Sequence, residues 1–370
     1  MRYYIVAGER SGDLHGGNLV RALRKEDAAA TFRGFGGEYM KEAGVEVAVH
    51  YSDMAFMGIT ELLGNLRKIS RYIRQCKEDI DQFQPDVVIL IDYGGFNRRI
   101  ARYARSRNLK VFYYIPPKVW AWYQRRVWEL KANVDRMFVI LPFEKDFYRK
   151  FDWEVDYVGN PVLDAVRSHV PDEQFREQER LKDDKPLVAL LPGSRKQELE
   201  RIIPLMEDVV RRLPDYQFAV GAVDNLEPSL YGNLPTMGNV RFVYNKTYDL
   251  LRHATAAVVT SGTATLETAL FRVPQVVVYR ASPLSYFLGR LVVKVPFISL
   301  VNLIAGHEVV RELIQGDANP TDTAAELERL LHGDRREKVL KGYEEMIALL
   351  DAGGSASENA ARLMVAYLRA

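Results

Sequence analysis

The chain has 370 residues, of which 48% are hydrophobic and 27% charged, so it has the composition of a folded protein and the length of two ordinary domains. Its 51 Lys and Arg against 49 Asp and Glu give a net charge of +2, which excludes nucleic-acid binding by bulk charge. No run reaches the roughly 18 apolar residues of a membrane span. A lone Cys76 excludes an intramolecular disulfide, and the strand-like start MRYYIVAG shows no signal peptide, so we expect a cytoplasmic protein.

Short β-rich runs alternate with amphipathic helical segments in both halves of the chain, which is typical of parallel sheets covered by helices on both faces. The first half holds five predicted strands, at 3–7, 31–35, 87–92, 111–115 and 136–141. The second half restarts the pattern with strands at 187–191, 218–223, 240–244, 256–260 and 275–279. The sequence therefore predicts an α/β fold of two Rossmann-like domains.

A polar and charged stretch at 166–185 has few strand signals, so we place the domain boundary there. We predict an N-terminal domain at 1–165, a linker at 166–185 and a C-terminal domain at 186–340. The tail is rich in Ala, Glu and Leu and predicts terminal helices. Residues 341–370 either pack back on the first domain or exchange between subunits.

The turn after the first predicted strand has the position of a ligand-binding loop. It reads GERSGD at 8–13, and we predict that a helix begins at about Leu14. Ligands of open α/β sheets bind at the carboxyl ends of strands, although a simple tight turn has the same residues. The spacing differs from a dinucleotide fingerprint, and GxxxxGK(S/T) is absent from the sequence, so we expect no NAD, no ATP and no other cofactor.

A second candidate loop lies at 256–267, where an apolar strand runs into a Ser-Gly-Thr turn and then into helix formers. A helix start leaves backbone N–H groups unpaired, and the macrodipole adds roughly half a positive charge, so Ser261, Gly262 and Thr263 can offer donors to an anion. Glu267 follows one turn later, where its carboxylate could accept hydrogen bonds from a ribose diol. An ordinary capped core helix would have the same residues.

The turn after the strand at 187–191 is the matching feature in the same predicted domain. Gly193 permits close approach of the backbone to a ligand, and Arg195 can direct its guanidinium at phosphate oxygens. A surface arginine after a helix cap would look the same. Two such loops in one domain indicate that it binds a diphosphate.

Nine short sequence blocks, spread over nearly the whole chain, match those of one known family and occur in the same order as in that family. They are AGERSGD (7–13), FMGITELLG (56–64), PDVVILID (85–92), VWAWYQRRV (119–127), LPFEKDFY (141–148), VGNP (158–161), LPGSR (191–195), SGTATLE (261–267) and NLIAGHEVVRELIQ (302–315). On these blocks the chain resembles the lipid-A-disaccharide synthases, which are bacterial glycosyltransferases of the two-Rossmann-domain (GT-B) type, with parallel sheets that face each other across a cleft.

The resemblance implies a donor, UDP-2,3-diacylglucosamine, and an acceptor, 2,3-diacylglucosamine 1-phosphate, which an inverting transfer joins by a β-1,6 linkage with loss of UDP. It places the reaction in lipid A and lipopolysaccharide biosynthesis of a Gram-negative bacterium. The protein would then be cytoplasmic and peripherally associated with the inner face of the inner membrane. The resemblance leaves a homodimer open.

The chain departs from the family pattern in three places. The family's acidic loop is close to IDAPDFN, whereas residues 91–97 read IDYGGFN and lack the second acid at Gly95. His307 stands where an arginine is usual, and IPPK at 115–118 replaces a stretch of the Val-Ser-Pro-Ser type. These changes leave the reaction class intact and concern the acceptor and its acyl chains.

An inverting transfer needs a base on the acceptor side, and the resemblance assigns that role to Asp92, at the end of a buried-looking strand. A structural aspartate that caps the next loop is the alternative, and Glu9 is the alternative base or acceptor-hydroxyl ligand. No DxD pair and no His/Asp cluster of the sequence is placed as a metal site, so we expect no metal. The remaining assignments are to the UDP-sugar: Gly193, Ser194, Arg195, Ser261, Gly262 and Thr263 to the diphosphate loops, Glu267 to the ribose and, by resemblance only, Asn302 to the nucleotide sugar.

Diacylated substrates also require an apolar surface. Hydrophobic residues recur at helical spacing in a segment that is crowded with basic residues, which predicts a helix on an anionic membrane surface. A core-facing helix with a solvated basic side is the alternative. The predicted acceptor, lipid or membrane residues are Ser11, Gly12, Met57, Ile59, Leu62, Leu63, Leu66, Arg67, Lys68, Ile69 and Trp122. A second apolar stretch at 283–300 could belong to the same face.

Two rival functions stay open at this point. Another UDP-sugar enzyme, either a UDP-GlcNAc 2-epimerase or a transferase that acts on a polyprenyl-linked acceptor, would share the fold and the UDP loops. A non-catalytic nucleotide-binding or lipid-binding protein would keep the loops without the chemistry. The reaction product discriminates between these functions.

Overall fold

The computed structural model describes residues 1–54, 66–182, 184–293 and 295–370. The strands are β1 (Arg2–Ala7), β2 (Thr31–Gly36), β3 (Glu46–His50), β4 (Val87–Ile91), β5 (Lys110–Tyr114), β6 (Arg136–Val139), β7 (Asp156–Tyr157), β8 (Leu187–Leu191), β9 (Gln217–Ala222), β10 (Val240–Tyr244), β11 (Ala256–Thr260), β12 (Gln275–Tyr279) and β13 (Glu312–Ile314).

The helices among the described residues are α1 (Arg10–Glu26), α2 (Glu38–Glu42), α3 (Tyr51–Met54), α4 (Leu66–Phe83), α5 (Gly94–Ser106), α6 (Arg126–Asn133), α7 (Phe143–Arg149), α8 (Pro161–Arg167), α9 (Phe175–Gln178), α10 (Lys196–Arg212), α11 (Thr247–His253), α12 (Thr263–Leu270), α13 (Pro283–Val292), α14 (Leu300–Ala305), α15 (Pro320–His332), α16 (Arg335–Leu350) and α17 (Ala356–Arg369). Short 3-10 turns occupy Pro228–Tyr231 and Leu234–Thr236. None of the described helices is long and apolar enough to cross a bilayer.

The chain divides into two units, of which unit 1 comprises Met1–Pro161 and Ala352–Ala370. Its sheet has seven strands in the order β3-β2-β1-β4-β5-β6-β7, and every neighbouring pair is parallel. All five residues of the central strand β4 are buried, as expected for a parallel sheet covered on both faces. Because the carboxyl ends of parallel strands meet at one edge, the loops that follow β1, β4, β5 and β6 lie along that edge.

The C-terminal helix α17 belongs to unit 1, where it packs against α1. Ala360, Ala361, Met364 and Val365 are buried in the same hydrophobic core as β1 and α1. Small residues at 360 and 361 let the two helix backbones approach closely, because alanine places no bulk between them.

Unit 2 comprises Val162–Asp351. Its sheet has six parallel strands in the order β10-β9-β8-β11-β12-β13. The stretch predicted as a linker lies within this unit, and Phe175 is fully buried in its core. Leu181 of the same stretch also packs in this core, so the polar residues of the stretch form an exposed surface around Phe175 and Leu181.

The structure differs from the prediction mainly at the sheet edges. Strands β3, β7 and β13 were not predicted, and each is the last or first strand of its sheet. Edge strands are short and half-exposed, so their sequences lack the apolar runs of central strands. Helix α1 begins at Arg10 rather than near Leu14. The apolar stretch at 283–300 holds α13 and the start of α14, and its place on the same face as the basic helix stays a prediction.

Candidate functional site

Asp92 and Glu9 follow two neighbouring strands at the same edge of the unit 1 sheet. Strands β1 and β4 are paired in register, with Ala7 opposite Ile91, so the next residues of both strands emerge side by side. A Cβ on Gly8 would overlap the ring of Tyr93, which shows how closely the two loops pack. Burial raises the pKa of Tyr93, and the charge of Glu9 raises it further, so Glu9 lies within electrostatic range of the Asp92 loop.

The backbone around Asp92 is strained. Asp92, Tyr93 and Ile115 all have positive φ angles, of 45°, 49° and 56°, although none of them is glycine. Hydrogen bonds hold this conformation: the Asp92 N–H donates to Ile115 O (3.1 Å), and Asp92 O accepts from Asn97 Nδ2 (2.7 Å) and Tyr113 OH (2.7 Å). Such conformations cost about 1–3 kcal/mol each and cluster at functional sites, so the geometry supports Asp92 as part of an active site.

The Asp92 carboxyl group is half-buried, and its pKa is raised. Burial is the main cause, while a hydrogen bond from the Tyr93 N–H and the positive charge of Lys118 act in the opposite direction. A carboxylate with a raised pKa is a stronger base than an exposed aspartate. There is space for a side chain at Gly95, the position of the missing second acid, because a Cβ on Gly95 would meet no atom within 4 Å.

Glu144 is a buried acid of unit 1 that the sequence analysis did not single out. Its Oε2 accepts from Leu141 N (2.9 Å) and Ile140 N (3.2 Å), and its Oε1 accepts from Trp120 Nε1 (3.1 Å). Burial raises the pKa of Glu144 to about 7, despite these three donors. The sequence feature that could have identified Glu144 was a glutamate in the first turn of a helix directly after a strand, inside the block LPFEKDFY.

Glu144 thus ties the loop after β6 to the segment after β5, which carries Trp120 and Trp122. Trp120 is buried and packs edge-on against Phe143, with ring centroids 5.0 Å apart. Trp122 is 50% exposed, so of these two tryptophans Trp122 is the one available for an acceptor or lipid.

The loop after β8 has the predicted glycine turn, but its donors are already in use. Gly193 has a φ of +103°, and a Cβ there would lie against Glu198 Oε2, so this position requires glycine. The same oxygen accepts from Ser194 N and Arg195 N, both at 3.2 Å. Arg195 has an 83% exposed side chain, with Nη1 3.5 Å from Glu198 Oε1. The Glu198 carboxylate thus already accepts from the two backbone N–H groups that were predicted to bind a diphosphate. A glutamate at the third helical position was the sequence signal for this contact.

The loop after β11 leaves free the backbone donors that follow Ser261, whereas Ser261 itself, also predicted as an anion donor, is already hydrogen-bonded. Ser261 donates through Oγ to Ile298 O (2.8 Å) and through its N–H to Val278 O (3.1 Å), which fixes the turn. Within the part of the chain that the structure describes, the N–H groups of Gly262, Thr263 and Ala264 have no protein acceptor, and Gly262 and Thr263 are exposed. Three unpaired donors at the N-terminus of α12 can bind an anion.

Glu267 lies one turn further along α12, and its carboxyl accepts a hydrogen bond from Tyr248 OH at 3.0 Å. Burial raises the pKa of Glu267, against the effect of the tyrosine hydrogen bond. The structure therefore places an acceptor group close to the free donors of the α12 N-terminus, as a nucleotide site needs.

Asn302 is fully buried, and its side chain has no free hydrogen-bonding capacity. Nδ2 donates to Val310 O and Glu312 Oε1, both at 2.9 Å, and Oδ1 accepts from Val309 N (2.8 Å) and Val310 N (3.0 Å). Glu312 also accepts from the N–H groups of Ile298 and Ser299. Direct contact between Asn302 and a nucleotide sugar stays a prediction. The observed contacts of Asn302 and Glu312 hold in place the segment that contains Ile298, whose carbonyl accepts the hydrogen bond from Ser261.

The predicted lipid-binding segment is described only in part. Met57, Ile59, Leu62 and Leu63 lie outside the described residues, and Leu66 begins α4 without a described side chain. Arg67 and Lys68 are exposed, and Ile69 is half-buried. In the first loop, Ser11 is exposed, whereas Gly12 is buried against Ala7.

Among the described residues, no group of three or more His, Cys, Asp or Glu side chains is arranged to hold a metal ion.

Comparisons with known proteins agree over the whole chain. Residues 3–365 match a family model described as lipid-A-disaccharide synthetase. A lipid-A-disaccharide synthase from Syntrophus aciditrophicus (strain SB) is 42% identical over 99% of this chain and 97% of that protein. A second one, from Myxococcus xanthus (strain DK1622), is 40% identical over 97% of this chain and 96% of that protein.

Solved structures with much lower identity share the fold. UDP-GlcNAc 2-epimerase from Neisseria meningitidis, bound to UDP-GlcNAc, has a TM-score of 0.65 at 12% identity and covers 100% of both chains. CalG4, the calicheamicin glycosyltransferase, has a TM-score of 0.64 at 17% identity and covers 100% of this chain and 98% of that one. The fold is therefore the GT-B-like α/β fold of these epimerases and glycosyltransferases.

Proposed function

Because the chain belongs to the lipid-A-disaccharide synthase family of glycosyltransferases, we propose that it transfers 2,3-diacylglucosamine from UDP to the C6 hydroxyl of 2,3-diacylglucosamine 1-phosphate. The products are a β-1,6-linked disaccharide 1-phosphate and UDP. The structural observation that carries the mechanism is the half-buried Asp92, held with a positive φ at the carboxyl edge of the unit 1 sheet. We assign the acceptor to unit 1 and the donor to unit 2.

Asp92 acts as the general base. Its carboxylate removes the proton of the acceptor's C6 hydroxyl while that oxygen attacks C1 of the donor, and the bond between C1 and the diphosphate breaks. Attack from the face opposite the leaving group converts the α-linked donor into a β-linked product. Glu9 follows the neighbouring strand at the same sheet edge, and we give it the role of binding an acceptor hydroxyl.

The donor's diphosphate binds at the N-terminus of α12. The free N–H groups of Gly262 and Thr263 face the negative charge that develops on the leaving group, and hydrogen bonds to an anion are about twice as strong as neutral ones. Glu267 accepts from the ribose hydroxyls. Arg195 is exposed and its Nη1 lies 3.5 Å from Glu198 Oε1, so its guanidinium can leave that carboxylate for a phosphate oxygen.

The acyl chains require contact with a membrane, and we propose that the start of α4 supplies it. Helix α4 buries Tyr72, Cys76 and Ile80 in unit 1 and exposes Arg67 and Lys68 at its first turn. Basic residues near an anionic bilayer contribute about 1 kcal/mol each. Replacement of both residues by glutamine should reduce sedimentation with phosphatidylglycerol vesicles and leave the weaker binding to phosphatidylcholine unchanged. Equal sedimentation of both proteins would remove this surface from the proposal. A homodimer stays a prediction.

The reaction is tested by incubating the purified chain with both acylated sugars and identifying the product by mass. A disaccharide 1-phosphate with release of one UDP supports the proposal. Conversion of UDP-GlcNAc to its 2-epimer would favour the function of the epimerases that share the fold. Calorimetric binding of UDP without any product, under conditions where a family relative turns over, would favour a non-catalytic protein.

A further inference from the structure

We propose that Lys118 binds the 1-phosphate of the acceptor and makes the enzyme selective for phosphorylated acceptors. This inference rests on the proposed function, because it concerns the acceptor of that reaction. Lys118 belongs to the IPPK segment at 115–118, which directly follows strand β5.

The segment that carries Lys118 packs directly on the Asp92 loop. Ile115 O accepts the Asp92 N–H at 3.1 Å, and a Cβ on Gly94 would lie 2.9 Å from Pro117 Cβ. Lys118 is the next residue, so its side chain leaves the backbone within one or two residues of the contact with the catalytic loop. Strands β4 and β5 are parallel neighbours, which brings the two loops to the same edge.

Glu144 holds the other end of this segment. Its carboxyl accepts from Trp120 Nε1 at 3.1 Å, and the Trp120 ring is buried against Phe143. The backbone on either side of Lys118 is therefore fixed, at Pro117 by packing and at Trp120 by a buried hydrogen bond. A lysine on a fixed backbone loses less conformational entropy when it binds a ligand than one on a mobile loop.

Lys118 is exposed, and its ammonium group has no ion-pair or hydrogen-bond partner among the residues that the structure describes. Its charge nevertheless reaches Asp92 and Glu144, because it lowers the pKa of both carboxyl groups. An unpaired cation beside the proposed base is available to a ligand. The acceptor's phosphate is the anion that has to lie nearby.

The covalent structure of the acceptor sets the distance between its C6 hydroxyl and its 1-phosphate. In a hexopyranose, C1 and C5 flank the ring oxygen, and C6 is attached to C5. When the C6 hydroxyl meets Asp92, the phosphate on C1 lies only a ring's width away. Lysine recognises phosphate as a point charge with three donors, so it does not require one fixed phosphate orientation.

The test compares two acceptors, the 1-phosphate and its 1-O-methyl glycoside, with wild-type protein and the variants Lys118→Met, Lys118→Arg and Lys110→Met. Lys110 is exposed at the opposite end of β5 and serves as the matched control. Because a charge-assisted hydrogen bond is lost, Lys118→Met should lower the ratio of kcat/KM for the 1-phosphate to kcat/KM for the methyl glycoside about 10- to 100-fold. The effect of the Lys118 charge on the pKa of Asp92 acts on both acceptors alike and cancels in this ratio. Lys118→Arg should keep the preference, and Lys110→Met should behave as wild type.

An unchanged ratio of kcat/KM between the two acceptors in Lys118→Met would overturn the inference, even if the pH profile of turnover shifts. Calorimetry of the 1-phosphate acceptor without donor provides a readout that does not need turnover. A weaker Kd in Lys118→Met supports the inference, and an equal Kd overturns it. Failure of the proposed function would instead show as absent disaccharide with wild-type protein, whatever the binding result.

Discussion

Replacement of Asn302 by alanine tests whether this residue holds the donor site in shape or contacts the donor directly. The change removes the acceptor of two buried N–H groups, those of Val309 and Val310, and a donor to Glu312. A buried group left without its partner costs about 1–3 kcal/mol, so the two N–H groups alone predict a loss of about 2–6 kcal/mol. In a domain of this size each kcal/mol lowers the melting temperature by about 2–4 °C.

Scanning calorimetry should therefore show the transition of unit 2 at least about 4 °C lower in Asn302→Ala, and UDP binding weaker because the Ile298 carbonyl no longer anchors Ser261. Asn225→Ala is the control, since Asn225 is an exposed residue of the same unit. An unchanged melting temperature with a raised KM for the donor would refute this reasoning and assign Asn302 a direct contact instead.

Three further predictions follow from single residues. Asp92→Asn keeps an oxygen for the Tyr93 N–H, so we expect a folded protein that binds UDP with kcat reduced about 10²- to 10⁴-fold; near wild-type turnover would exclude Asp92 as the base. Burial raises the pKa of Glu144 from 4.5 to about 7, so the folded state binds the extra proton and stability falls as pH rises between these values. Urea titrations should show that this pH-dependent part of the free energy of unfolding disappears in Glu144→Gln. An identical pH dependence in the variant and the wild type would contradict the prediction. Gly193→Ala should destabilise unit 2 by about 1–3 kcal/mol because of its positive φ and the Glu198 contact, whereas Gly238→Ala, with open space around its Cβ, should be nearly neutral in the same titration.

The predicted fold and the predicted family are confirmed, and both follow from local sequence features. The ten predicted strands are all present, because buried parallel strands are nearly continuous apolar runs that a sequence displays directly. The family follows from nine blocks in a fixed order. The strands that were missed, β3, β7 and β13, lie at sheet edges, where half-exposed backbones need no apolar run.

The site residues stay predictions, and the structure adds what a linear pattern does not contain. Ser194 and Arg195 resemble Gly262 and Thr263 as anion donors in the sequence, yet Glu198 occupies the first pair and leaves the second pair free. Whether a donor is free depends on the conformation of one nearby side chain, which the spacing of motif residues does not record.

Local sequence patterns were sufficient to predict the two parallel-sheet domains, the glycine turns at the strand ends and the family. The position of Glu9 and Lys118 at the same sheet edge as Asp92 became known from the folded protein, because strand order in a parallel sheet brings together residues that are far apart along the chain. The hydrogen-bond partners of the Asn302 amide also became known only from the folded protein, since they depend on how the chain folds back between α14 and β13. Local patterns record burial and chain direction, whereas partners in space are set by the packing of the whole unit.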